Sequence, residues 1–497
     1  MTKAQKNRAS KHAYQSPTQF VLEGFETPFS RNLRQDNRWV KLAHQIPWDI
    51  LVETYQKQLK NDATGASGIN PRVVIGSMII KHMCNLSDRE TVQLIQENIY
   101  MQYFIGYTSF SDEEPFDASL FVEFRKRLGI EQINAINEKI LGLNLEQKDK
   151  EDKDENNNEP PENEGTLILD ATACPQDIAY PTDLNLLNDA REKAEYLIDV
   201  LFDPNLHQAK PRNYREKARK LYLNTAQKKI KSKKVIRTAI KQQLNFLKRN
   251  IQNIYRLMEA YGTIPLDRYD YKYWLVIQTL YDQQNKMFKE ETHSVEHRIV
   301  SIHQPHVRPI VRGKSNANVE FGAKIQVSLM NGYAFLDDLQ WEAFNEGTRL
   351  EMTIDNFKRR FGCYPKVVMA DKIYCNRQNR AWLKTNGIEL RAKPLGRPPA
   401  VKTEHVSPGE RNPIEGKFGQ AKTAYGLNRI MARLQETSES WIATIILVLN
   451  LVKLTGEAPY RLLVTLNPFS AKHLINLINK FIDKIRCYLW RLELSLN

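Results

Sequence analysis

Asp170, Asp371 and Glu415 are the residues whose types and surroundings point to chemistry. Asp170 follows the apolar run Leu167-Ile-Leu169, and Asp371 follows Val367-Val-Met-Ala370, so each acid ends a segment with the pattern of a buried strand. Glu415 lies in a stretch with helical patterning. Arg411 precedes it by four residues and Lys422 follows by seven, so all three share one face of a helix. Two aspartates and a glutamate supply the hard oxygen ligands that Mg²⁺ prefers. Two such ions about 3.5–4 Å apart can activate an attacking oxygen and stabilise a leaving one during in-line phosphoryl transfer. Mn²⁺ can substitute. Taken singly, Asp170 reads more readily as a strand-end turn residue and Asp371 as a helix cap. Asp177 and Asp183 compete for the first position, and Asp170 is preferred because it directly ends the apolar run.

The elements that must position these acids begin after residue 165. Thr166–Thr172 is expected as a strand, followed by a helical insertion at about 185–296. Phe321–Leu329 and Tyr333–Trp341, separated by Met330-Asn-Gly332, read as a hairpin. A helix over Thr348–Arg360, a strand over Lys366–Ala370, a short helix over Asn376–Asn386, a strand over Ile388–Ala392 and a helix over Arg411–Leu434 complete the series. Without the insertion this is the element order of the ribonuclease H-like fold, in which the first and fourth strands lie side by side. The expected class is therefore α+β multidomain: a helical N-terminal domain, then a ribonuclease H-like mixed β-sheet flanked by helices and carrying a basic helical insertion. The expected divisions are a helical domain at 1–145, an acidic disordered linker at 146–165, the catalytic domain at 166–432 and packed helices at 433–497.

Within the first domain, Pro47 and Pro71 each suit the first turn of a helix, and Ser87-Asp-Arg-Glu90 has the pattern of a capping box. The pair of helices joined at Asn85-Leu86 reads either as a helix-turn-helix or as part of a bundle that forms a dimer surface.

The chain of 497 residues carries a formal net charge of +14, which favours a polyanionic partner. The excess is concentrated. Between Lys210 and Arg256 stand sixteen Lys or Arg and one acid, Glu216, with Leu221, Ile230, Ile236, Ile240, Leu244, Leu247, Ile251 and Ile254 at helical spacing. Lys228, Lys229, Lys231, Lys233 and Lys234 are expected to meet DNA phosphates there. The longest apolar run, Ile442–Val452, is too short to span a bilayer and contains Asn450, so no membrane role is expected. The first residues lack an apolar signal core, which makes the cytoplasm the expected compartment. Five scattered cysteines show no zinc-knuckle spacing and read as reduced structural thiols. His293, His297, His303 and His306 invite a zinc reading, but ordinary surface or core histidines fit them better. Arg312-Gly-Lys-Ser315 fails as a nucleotide loop because Arg308 stands where a glycine is needed. Arg308, Arg312 and Lys314 instead read as a basic loop near DNA. Lys372 can approach phosphate beside Asp371, whereas Tyr374 and Trp382 suit core packing better than base stacking.

Arg411-Asn-Pro-Ile-Glu415-Gly-Lys-Phe-Gly-Gln-Ala-Lys422 resembles the last motif, Tyr-x2-Arg-x3-Glu-x6-Lys, of a group of DDE-type transposases from bacterial insertion sequences. Pro408 stands at the tyrosine position, which leaves that residue's role unassigned. Asn85–Leu128 is similar to the helical N-terminal domain of such enzymes. Leu169-Asp170-Ala-Thr172, Tyr180-Pro-Thr-Asp183, Val307–Lys314, Glu320–Lys324 and Ala370–Tyr374 resemble internal blocks. The resemblance implies that Asp170, Asp371 and Glu415 form a metal-binding triad and that Arg411 and Lys422 grip transposon-end phosphates. It further implies DNA cleavage and strand transfer at terminal inverted repeats and target DNA, by a homodimer or larger homo-oligomer, near the nucleoid and without a nucleotide cofactor. A nuclease or resolvase on the same fold, or an inactive DNA-binding relict, are the alternatives.

Overall fold

Local capping sets the first helices. Asn37 accepts from the Trp39 amide and opens α1 (Arg38–Gln45), and α2 spans Trp48–Gln56. Asn70 caps α3 (Pro71–Cys84), whose first residue is a proline that has no amide to leave unsatisfied. Asn85, in the left-handed conformation, ends it. The Ser87/Glu90 capping box forms as expected and opens α4 (Asp88–Glu97). Then follow α5 (Ile99–Phe104), α6 (Leu120–Arg127) and α7 (Ile130–Ile140). Every residue of α3 is buried, including Lys81 and His82. Of the α3–α4 pair, α4 has the broad solvent face, where Arg89 stands among Glu90, Gln93 and Glu97.

The computed structural model describes Phe29 and residues 33–57, 68–142, 162–311, 319–392 and 408–456. The linker expected at 146–165 therefore lies, up to residue 161, outside the described residues, as do Arg312, Lys314 and the chain beyond residue 456.

Six strands form one mixed sheet: β1 (Thr166–Pro175), β2 (Arg308–Val311), β3 (Val319–Met330), β4 (Tyr333–Gln340), β5 (Val367–Met369) and β6 (Glu389–Arg391). Their order is β2-β3-β1-β5-β6, with β4 also paired to β3. β1 is antiparallel to β3 and parallel to β5. The expected hairpin is present, turning through Asn331 and Gly332, both at positive φ, as a two-residue turn matched to strand twist requires. One expectation is corrected. Asp170 does not end its strand, because β3 continues to offer partners as far as Gly322 opposite Pro175. On the other side, β5 leaves at Met369 opposite Ile168, so Asp170 lies just past the last parallel pair.

Leu167 and Leu169 face a core formed with α12 (Leu350–Phe361), α13 (Arg377–Thr385) and Tyr374. Ile168 and Cys174 face the opposite side, where α14 (Asn412–Ala424), α15 (Gln435–Thr455) and the N-terminal helices share one large core. The helix expected over Arg411–Leu434 stops ten residues early. Gly426 turns at φ +76°, and a parallel bridge from Ile430 to Gln176 then pins the chain to the end of β1. α15 is long and apolar enough to cross a bilayer, but it is almost wholly buried against α3, α6, α7 and β4, as a core helix is.

Between β1 and β2 the insertion forms α8 (Asp183–Leu201), α9 (Arg215–Ala226), α10 (Lys233–Glu259) and α11 (Arg268–Glu290). Its own core includes Leu187, Leu197, Leu247, Ile254, Ile277 and Leu280. Ile230, expected on the apolar face of a helix, instead lies in the turn between α9 and α10.

Candidate active site

Strand register brings the first two acids level. Met369 pairs with Ile168, so continuing both chains by two residues sets Asp371 beside Asp170. Alternation along β1 turns Asp170 to the same face as Ile168, the face covered by α14. Arg411, the residue before α14, reaches into the gap. Its guanidinium lies 3.3 Å from Asp170 and 3.2 Å from Asp371, with Glu415 at 4.0 Å in the first turn of the helix. The three acids are thus gathered around a single cation. Pro413 at the start of α14 presets the first turn that carries Glu415.

The three differ in solvent access. Asp170 is 17% exposed, Asp371 46% and Glu415 65%. Burial pushes the Asp170 carboxyl up to about 6, against the opposing pull of the Ala171 amide and Arg411 and with the added repulsion of Glu346 and Asp371. Asp371 accepts from the Lys372 amide at 2.7 Å and so also caps the short 3-10 turn Lys372–Tyr374. Glu346, in a 3-10 turn before α12, pairs with Lys324 at 2.8 Å and belongs to the electrostatic surroundings of Asp170. Nothing local in the sequence marked it, since its approach to the site depends on the hairpin. At the same level the β3–β4 ladder shifts register between Gln326 and Val327, leaving Asp337 of β4 as the extra residue of a bulge. Tyr374 is fully buried and donates to Gln326 at 3.0 Å; burial raises its pKa, and it acts as core. Trp382 packs edge-on to Tyr364.

The three hard oxygen donors, on β1, just after β5 and on α14, are of the type a divalent cation such as Mg²⁺ takes. Among the described residues, no three His, Cys, Asp or Glu stand close enough to hold a metal ion as they are placed. Arg411 occupies the space between the carboxylates, and its Nε is buried with no hydrogen-bond partner. The donor chemistry fits, with the guanidinium in the role of the cation.

The other residues singled out from the sequence lie in different surroundings. Lys372 is exposed beside Asp371, and Lys422 is half-buried on α14. Arg308 is engaged internally, with Glu342 at 2.6 Å and the Pro305 carbonyl at 2.5 Å. Lys228, Lys229, Lys231, Lys233 and Lys234 are all exposed around the α9–α10 turn. His297 pairs with Glu342 at 2.9 Å, His303 with the Tyr273 hydroxyl at 2.8 Å, and His306 packs edge-on to Trp341. Cys84, Cys174 and Cys375 are buried and, among the described residues, in no disulfide.

Two family models match this architecture. A transposase domain (DUF772) covers residues 28–127, which includes α1–α6, and a transposase DDE domain covers residues 368–452, which includes Asp371, Glu415 and most of α15. A Rhizobium meliloti protein described as "Uncharacterized protein ORF8 in nfe locus" is 32% identical over 147 residues, which are 30% of this chain and 66% of that protein. No solved structure matches. Both matched regions are similar to transposase domains. Together they support a DDE-type transposase of insertion sequences.

Proposed function

We propose that this transposase binds the ends of its element and catalyses metal-dependent DNA cleavage and strand transfer, with Asp170, Asp371 and Glu415 as the metal-holding acids. The observation that carries this reading is the convergence of all three on Arg411. The pairing of β1 antiparallel to β3 and parallel to β5 supports a ribonuclease H-like catalytic domain.

Bound Mg²⁺ or Mn²⁺, two ions in this reading, would supply Lewis-acid activation of the attacking oxygen and relieve charge on the leaving one. The protein's own part begins with Asp170, which must lose its proton before it can act as a ligand. Arg411 must swing from the carboxylates toward an incoming phosphate, exchanging one anionic partner for another. Lys422 and Lys372 lie on the flanking elements and grip the DNA backbone, joined by Arg308 of β2 and by Arg312 and Lys314, which lie outside the described residues. The lysines of the insertion extend the backbone contact away from the site. Joining a freed 3′-hydroxyl to a second phosphodiester conserves bond energy, so no nucleotide cofactor is required. Pairing two ends in the cytoplasm, at the nucleoid, calls for at least a homodimer.

The test uses purified protein, Mg²⁺ and a labelled duplex carrying the element's own end, with wild type beside Asp371→Ala. Cleaved and joined products from the wild type alone are expected. Cleavage without joining would assign a nuclease instead, and binding without chemistry in Mg²⁺ and Mn²⁺ would assign an inactive relict.

A further inference from the structure

The insertion ends in a point. α9 stops at Ala226 and α10 begins at Lys233, and the first buried residue of α10 is Ala239. The first turn of α10 therefore carries no buried side chain, and contact with the insertion's core begins in the second turn, where Arg237 lies over the Phe288 ring at 4.3 Å. At the apex stands Ile230, 92% exposed, the most exposed large hydrophobic side chain among the described residues. Lys228, Lys229, Lys231, Lys233 and Lys234 surround it, and residues 227–234 contain no acid. The apex is held by polar contacts rather than by apolar packing. Lys231 Nζ donates to the Ala226 carbonyl at 2.9 Å, and the Ser232 side chain caps α10 by accepting from the Val235 amide.

An isoleucine at such a place has no folding role, since it touches no core. Its neighbours set the partner's chemistry: a polyanion dense enough to engage several lysines at once, with an apolar slot narrow enough for one branched side chain. A stacked base-pair step between two phosphate backbones has both properties, and apolar wedges flanked by Lys or Arg act on DNA in this way. An anionic membrane surface offers the charge. However, interfacial anchoring uses a broad apolar face with Trp, Phe or Leu, and here one aliphatic side chain stands alone.

We propose that the Lys228–Lys234 turn is a DNA-kinking tip, with the lysines on the phosphates and Ile230 wedged into a deformable pyrimidine–purine step. This rests on the reading of the chain as an enzyme that binds DNA, and adds where and how the insertion deforms it. Unstacking would be confined to one or two steps, because one wedge is present. Pyrimidine–purine steps are favoured because they unstack most readily.

The experiment uses the full-length protein and a duplex of the element's own end. 2-Aminopurine is placed in turn at each pyrimidine–purine step, and a dye pair at the duplex ends reports bending. Wild type should brighten 2-aminopurine at one or two steps and shorten the end-to-end distance. Ile230→Ser should lose both signals, with affinity falling about tenfold, the scale on which burial of one Ile side chain acts. Ile230→Met should retain them. The slope of log affinity against log salt should be unchanged in Ile230→Ser but fall by about 0.9 for each phosphate contact removed in Lys228→Ala/Lys229→Ala/Lys231→Ala. Since Ile230 is solvated, the melting temperature of the free protein should not move. If Ile230→Ser bends and unstacks DNA like wild type while the lysine variant loses salt slope, the tip is a plain backbone contact and the wedge is refuted. If neither variant changes binding, the tip lies off the DNA. If Ile230 governs vesicle binding or dimerisation while the DNA signals stay intact, the partner assignment is wrong. Wild-type protein that binds no duplex at all would overturn the underlying DNA reading, an outcome distinct from the others.

Discussion

A carboxylate facing a guanidinium usually titrates low, yet Asp170 does not. Burial outweighs the attraction of Arg411, so the fold favours the neutral acid up to about pH 6, against about 3.9 for an exposed aspartate. The sign of the linkage follows. Because the folded state holds this proton more tightly than the unfolded one, the contribution of Asp170 to stability is greatest below about pH 4 and is lost as pH rises through 6. Asp170→Asn keeps the neutral shape permanently. At pH 8 it should melt higher than wild type, by an amount on the order of 2 kcal/mol, and the gain should vanish below pH 4. A lower melting temperature at pH 8 would mean that the Arg411 pairing dominates. Such an acid suits a site whose occupant is a cation, since the cost of ionising Asp170 is recovered only when strong positive charge arrives. The three acids were legible in the sequence because each ends an apolar run or sits in a spaced motif. Arg411 was legible only as a phosphate ligand. Its hold on the acids depends on the approach of α14 to β1, elements that lie far apart in the chain, and the same non-locality hid Glu346.

The elements show where periodicity succeeds and where it fails. The hairpin and the Ser87 capping box are specified by neighbouring residues, and both appear as read. The helix after Arg411 was read ten residues too long, because Leu427 and Ile430 continue an apolar pattern that the chain buries without staying helical. Gly426 is the residue that permits the break. Its φ is +76°, and a Cβ built there would stand 2.8 Å from Asn85 Oδ1, itself part of the left-handed end of α3. Gly426→Ala should therefore destabilise the protein by about 1–2 kcal/mol, measured by urea denaturation, where the same change at a compatible site would stabilise. Unchanged stability would show that the two turns can move apart. Ile230 was misread for the opposite reason: its spacing fits a helix, but Lys228–Ser232 contains too little apolar surface to pack one.

Across the whole molecule, the helices expected as a separate N-terminal domain share a core with the sheet and α15. A buried charge network lies at the junction. Lys81 reaches Asp88 at 2.9 Å and lies over the Trp441 ring at 4.5 Å, and Arg125 grips Asp88 through two bonds of 2.9 and 2.8 Å. Those two cations hold the Asp88 carboxyl down to about 2 despite its burial, while burial lowers the Lys81 ammonium to about 8. Asp88→Ala would leave two buried cations with no anion between them. Removing one partner from such a network costs about 3–5 kcal/mol, so this variant should melt far below wild type and lose both family-matched regions in one transition. Two separated transitions would show that the helices and the sheet unfold independently. Sequence reasoning divided the chain at its charged stretch because composition changes there, but composition carries no information on which distant helix covers α3.

Burial of α3 against α15 has a consequence for synthesis. α3 leaves the ribosome early, while the helix that covers it is made roughly 350 residues later, tens of seconds behind at ordinary elongation rates. Through that interval the apolar sides of α3 wait for a partner not yet translated. The nascent chain would need shelter during that time, and a message cut short before residue 435 would yield no folded half.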